Sequence, residues 1–470
     1  MAGILSIIGK RLCGSRFNLW RDKWLVGYTF LAIFQPPFIP VAFIYILGLF
    51  TLAWLYYNGR NALSRSILVQ SKIYSMIKLF AVVILYLIVV GLLDMMLIET
   101  ANVNSTRMTS MNQVSLLTLL EFCFAWTILI CCHRRQYSLT DIFLLLIFAG
   151  ILQGLCAVVA FLVPPVRTVF LMFCDANLYA KEYFLLRRGY GFSINLIDTF
   201  GYGMGLIASY MLIIKWTRSK ILLIVSVLTV LFAILVNART GIAVFGIGVI
   251  INFLLRRNIW RSLGRILIIF LVFEISVPIL ISGAESLAKS KNDTVSWVAM
   301  GMKQMLLLVG GDKDTPEVGV EDVTFFDNFI EPPTDTFRYL FGSGHHVYDT
   351  QKSMGFRTDI GYLNLLWEFG VVGSGLVLLC MAVFMIRPFF MTKDLTIRKI
   401  ALLNTIAYGV VLMKAILIGF NPGVFVNYLA TFSLYYIINK KRIGVSKPEC
   451  VIEERDNDGN SPLVNSNPGV

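Results

Sequence analysis

The stretch Lys220–Arg257, KILLIVSVLTVLFAILVNARTGIAVFGIGVIINFLLRR, decides the fold class. It holds two apolar runs, 220–236 and 240–254, separated by a short break with one arginine, Arg239, and no acidic partner in sequence reach. Apolar runs of about this length cross hydrocarbon roughly 30 Å thick as helices. Lipid offers the backbone no hydrogen bonds, so the chain must satisfy its own. The stretch therefore reads as two membrane-spanning helices joined by a tight turn.

Comparable runs recur outward in both directions, at 24–36, 38–57, 75–98, 114–132, 141–163, 192–214, 266–283, 358–386, 400–419 and 422–439. The expected architecture is all-α, a polytopic bundle of about twelve transmembrane helices. Gln35-Pro36-Pro37 breaks the first pair, which as two spans or as a re-entrant hairpin returns the chain to its starting side. Composition agrees: 57% of the 470 residues are hydrophobic and only 15% charged, which excludes an ordinary soluble domain. The boundaries that follow are 1–283 for the first nine helices, 284–357 for a large loop, 358–439 for helices ten to twelve, and 440–470 for a polar tail expected to be disordered.

A net charge of +13 would point a soluble protein toward nucleic acid. Here 26 of the 41 Lys and Arg residues fall in alternate connections (1–23, 58–78, 133–140, 215–220, 255–265, 387–399 and 440–447), as cytoplasmic loops require. Both termini are then expected in the cytoplasm, the first helix is retained uncleaved, and no nucleic-acid partner is implied. Five of the eight cysteines, Cys123, Cys131, Cys132, Cys156 and Cys380, sit in or beside apolar runs, where Cys packs as a small hydrophobe; no disulfide framework is expected. Cys131-Cys132-His133 lacks a second ligand cluster, and Asp312-Lys313-Asp314 reads as an exposed acidic turn, so no metal is expected at either.

The opposite face receives residues 164–191, the 237–240 turn and the long loop. Within that loop 294–309 reads as an amphipathic interfacial helix, and 332–340 as a second helix capped by Thr334 or Asp335. Asp94, Glu121, Asp198, Glu368 and Lys414 fall in the outward halves of their spans, with Glu274 nearer mid-span. Such residues either reach up to the interface or line an outward polar cavity. Arg239 sits where a helix begins, beside backbone N–H groups that favour anions, and its planar fork suits phosphate. Arg187 and Arg188 add a second basic cluster on the same side. His345 and His346, in Leu340-Phe-Gly-Ser-Gly-His-His346, and Asp359, at the start of the next span, are candidate acid–base groups, although capping alone would also explain Asp359.

These features resemble the Wzy-type O-antigen polymerases, within the superfamily that also holds O-antigen ligases. The resemblance rests on Ala238-Arg239-Thr240-Gly241 opening a span, the large late loop, Arg338-Tyr-Leu-Phe-Gly-Ser-Gly344 near its end, and Asp359-Ile-Gly-Tyr362 followed by Gly370 and Gly373. It implies a GT-C-like, metal- and cofactor-independent glycosyltransferase of the bacterial inner membrane, with a periplasmic active site. Its substrates would be oligosaccharides on undecaprenyl diphosphate within the membrane lipid, with a polysaccharide chain-length regulator as candidate partner. Arg239, Asp359, His345 and His346 would be catalytic; Arg187, Arg188, Arg338, Arg357, Lys414 and Tyr362 would bind substrate. Asp359 stands where ligases of the superfamily tend to carry histidine, which favours a polymerase. A ligase and a lipid-linked oligosaccharide flippase are the alternatives.

Overall fold

The computed structural model describes residues 16–35, 42–97, 107–163, 198–237, 240–255, 332–344, 361–413 and 422–443, with a few isolated positions between them. These residues form thirteen helices: α1 (Leu19–Phe34), α2 (Ala42–Asn58), α3 (Ala62–Gln70), α4 (Ile73–Leu97), α5 (Arg107–Arg134), α6 (Leu139–Leu162), α7 (Asp198–Ile214), α8 (Lys220–Asn237), α9 (Thr240–Leu254), α10 (Thr336–Phe341), α11 (Gly361–Met391), α12 (Leu395–Val411) and α13 (Pro422–Ile443). Eleven of the apolar runs overlap a helix; the run at 266–283 and the amphipathic segment at 294–309 lie outside the described residues, apart from Ser282 and Ala299. Five helices, α4, α5, α6, α8 and α11, are long and apolar enough to cross a membrane, and α7 and α9 are shorter apolar helices. The chain is thus a helical protein with membrane-spanning character.

Helix α3 was not expected: a short amphipathic segment inside a connection carries no long apolar run to announce it. The second loop helix is present as α10, and its cap is Asp335, whose carboxylate accepts from the Arg338 amide at 3.0 Å.

Four of the connections read as sharing one face, 1–23, 58–78, 133–140 and 440–447, are joined by hydrogen bonds at one end, here called the basic end. Asp22 accepts from Arg135, and the Phe17 amide donates to Asp141 at 3.1 Å. Arg134 reaches Asn58 at 3.2 Å, Asn439 reaches the Gln70 carbonyl at 3.0 Å, and Lys440 reaches the Tyr137 carbonyl at 2.9 Å. Local caps close this end as well: Ser138 and Asp141 form a capping box on α6, and Asn18 caps α1. Burial alone would raise the Asp22 carboxyl, but hydrogen bonds from Arg21, Tyr137 and the Asn18 amide, with the Arg135 charge, outweigh it and hold it below its ordinary value.

Helix α7 is the centre of the bundle and packs against α6, α8, α9, α12 and α13. Its stripe of small residues explains why. A Cβ on Gly205 would run into the Gly241 carbonyl and Val244 of α9, and one on Gly248 of α9 would run into Ser209. On another face, a Cβ on Gly203 would stand 2.9 Å from the Gly423 Cα of α13. Small residues at these crossings let backbones touch, which is how helices associate where lipid supplies no hydrophobic drive.

Candidate functional site

At the other end, the loop end, α11 is broken. Gly370 sits at φ 65°, ψ −177°, so the helix cannot continue through it. A break inside an apolar helix frees carbonyls, and such backbone persists only where protein satisfies it. Here Leu365, Trp367, Glu368 and Phe369 have donors. Ser374 donates its hydroxyl to Leu365 O at 2.8 Å, the Ser343 amide and hydroxyl reach Trp367 O at 2.9 and 3.1 Å, and the Gly344 amide reaches Glu368 O at 3.1 Å. The Tyr86 hydroxyl, from α4, stands 2.9 Å from both Phe369 O and Phe341 O and is shared between them.

The donors Ser343 and Gly344 belong to the strap that follows α10. Gly344, at φ 65°, lies against Gly91 and the Leu87 carbonyl of α4, leaving no room for a side chain. Arg338 fixes the strap from its other side: Nε donates to Asp94 Oδ1 at 2.7 Å and Nη2 to Asp94 Oδ2 at 3.1 Å, with the two side chains 10% and 2% exposed. This fork-to-fork geometry is the strong form of an arginine–carboxylate pair. It also revises two expectations. Asp94 is buried and does not reach up to water, and the Arg338 guanidinium, which the resemblance assigns to substrate, is paired with a carboxylate of its own chain.

Beyond the strap, the chain is held again at the start of α11. The Tyr362 amide donates to Leu412 O at 3.1 Å and its hydroxyl to Gly409 O at 2.7 Å, both at the end of α12, while its ring stays exposed. Residues 345–360 carry His345, His346, Arg357 and Asp359 and lie outside the described residues. Both attachment points of that segment are fixed on α11 and its neighbours. About six residues of helix separate Glu368, which holds Gly344, from Tyr362, a distance of roughly 9 Å at 1.5 Å per residue.

The glycine contacts of α7 shape the adjoining part of this end. A Cβ on Gly241 would meet the Gly201 carbonyl, and one on Gly423 would meet the Thr199 carbonyl. The first turns of α7, α9 and α13 are therefore in direct backbone contact. Each first turn leaves N–H groups without helical acceptors and a partial positive charge. Arg239 lies outside the described residues, but its flanking positions, Asn237 at the end of α8 and Thr240 at the start of α9, belong to this junction.

Arg187, Arg188 and Lys414 also lie outside the described residues. Nearby, Gly191 is buried against the Gln153 amide of α6, and Met413 closes the turn after α12. Sequence reasoning did not find Tyr86, because one tyrosine in an apolar run carries no signal. It also did not find a buried group of phenols and amides, Tyr202, Tyr210, Asn404, Tyr408, Asn427 and Tyr428, on α7, α12 and α13. Compared with protein-family models, curated proteins and solved structures, the chain matches none of them.

Proposed function

We propose that this chain is a polysaccharide polymerase of the O-antigen type, working at the outer face of a bacterial inner membrane. It transfers a growing glycan from undecaprenyl diphosphate to the terminal sugar of a new lipid-linked repeat unit. In that step the bond from the anomeric carbon to the diphosphate oxygen breaks and a bond to the acceptor oxygen forms. The acceptor hydroxyl proton passes to Asp359, His345 or His346, and the diphosphate leaves with its negative charge held by Arg239 and neighbouring N–H groups.

The observation that carries this reading is the junction of the first turns of α7, α9 and α13 beside the Arg239 turn. Three positive helix ends and a planar cation favour a dianionic leaving group. The anchored ends of the 345–360 segment at the same end of the bundle support it, because that segment supplies the acid–base candidates. Arg187, Arg188, Arg357 and Lys414 are the supporting cations of the proposal, and Tyr362 offers an exposed ring to sugar.

The test is the surface polysaccharide of a strain lacking the gene. Loss of the ladder with one repeat unit retained is the expected result. Loss of every band with lipid-linked polymer accumulating would assign the chain to the ligases instead, and an unaltered ladder would reject both. The topology has its own check: a cysteine at position 320 should be labelled from outside the membrane and one at position 258 should not.

A further inference from the structure

Beneath the junction, two groups of buried polar side chains stand out among the described residues. The first is fully bonded. Tyr210 donates to Asn404 at 2.6 Å, Asn404 to Thr431 at 3.1 Å and Thr431 to Asn427 at 3.3 Å, while Asn427 donates to Tyr202 and, at 3.3 Å, to the Asn404 carbonyl. The second is the pair Tyr408 and Tyr428, 3% and 0% exposed, whose hydroxyls have no hydrogen-bond partner. The two are electrostatic neighbours of each other and of Tyr202; Tyr428 is also a neighbour of the buried Glu121, and Tyr408 of Tyr362. Aromatic rings enclose Tyr428, with Phe122 at 5.4 Å, Phe432 at 6.1 Å and Phe80 at 6.4 Å between centroids.

A buried phenol ordinarily finds a partner for its hydroxyl, and one that does not costs stability. Phenylalanine would fill the same space without that cost. Their depth is informative too. Tyr408 lies three residues before the end of α12 and Tyr428 six residues after the start of α13, placing them roughly 5 Å and 9 Å below the loop end at 1.5 Å per residue.

We infer that Tyr408 and Tyr428 form the floor of a sugar-binding seat below the phosphate-binding rim, giving their hydroxyls to the hydroxyl groups of a glycan. Phenolic O–H groups set among aromatic rings match the polar edge and apolar face of a sugar ring. The inference rests on the polymerase reading and adds a recognition element to it, on helices distinct from the anchored loop.

The experiment uses the full-length chain carrying Tyr408→Phe, Tyr428→Phe or both, expressed in the deletion strain, with membrane levels and the Tm of the detergent-purified protein measured alongside. The expected result is a Tm equal to or above that of the wild type and a loss of polymer on the order of tenfold or more in the double variant. A normal ladder from the double variant would overturn the inference, leaving the hydroxyls idle. A Tm lowered by several degrees would also overturn it, since the hydroxyls would then be holding the fold. If the wild-type gene itself fails to restore a ladder, the polymerase reading falls and takes this inference with it. The wild-type control separates that outcome from failure of the seat alone.

Discussion

Two buried carboxylates mark the two ends of the bundle, and they are held in different ways. Asp22, at the basic end, accepts from a neighbouring amide, from the adjacent Arg21 and from Arg135, whose side chain is one-third exposed. Asp94, at the loop end, is gripped by Arg338 from 244 residues away, and both partners are buried. The first carboxylate is one member of a set of caps and short connections that close their end redundantly. The second secures a strap whose Gly344 reaches a broken helix and whose next residue is His345. The lesson is that, among the described residues, one end is tied by many bonds, local caps and long-range contacts together, and the other by a few long-range ones that fix where the large loop is attached.

Arg338→Ala should produce the largest effect on stability, because it removes both hydrogen bonds of a buried guanidinium to a buried carboxylate. A loss of about 3–5 kcal/mol is expected, read as a lower Tm of the purified protein. Gly370→Ala comes next: the residue adopts a positive φ, and a Cβ there would run into the backbone of Leu340 and Phe341. Left-handed strain of this kind costs about 1–3 kcal/mol. If this variant is as stable as the wild type, the strap does not dock on the break as described.

Asp22→Asn should cost less, about 1.5 kcal/mol near neutral pH, because the other bonds at that end remain. Its pH dependence sharpens the comparison. A carboxyl held below its ordinary value of 3.8 contributes fully above that value and loses its contribution as pH falls through its folded value. The Tm difference between wild type and Asp22→Asn should therefore shrink below about pH 4, and a constant difference would remove the charge from the explanation. Asp335→Ala, which deletes the cap of α10, should cost about 1 kcal/mol, the smallest effect of the series.

The apolar helices were legible because each is a long apolar run, and α10 was legible because a carboxylate stands just before a short apolar turn. The clasp was not. Asp94 and Arg338 carry no mark of each other across 244 residues, and composition gives no way to tell a paired arginine from one reserved for an anion. Gly370 lies in a run that reads as one uninterrupted helix, although it stood out among the glycines carrying the family resemblance. Tyr408 and Tyr428 vanished into their spans, since an unbonded hydroxyl is a property of packing rather than of sequence.

Arg239 is both the arginine between the two apolar runs of the opening stretch and the proposed cation beside the helix junction. The decisive measurement is the polysaccharide ladder of a deletion strain complemented with Arg239→Ala and with Arg239→Lys, at membrane levels matched to the wild type. The account predicts no polymer from the alanine variant, a retained single repeat unit, and poor rescue by lysine, whose ammonium cannot form a bidentate fork. A normal ladder from Arg239→Ala would contradict it.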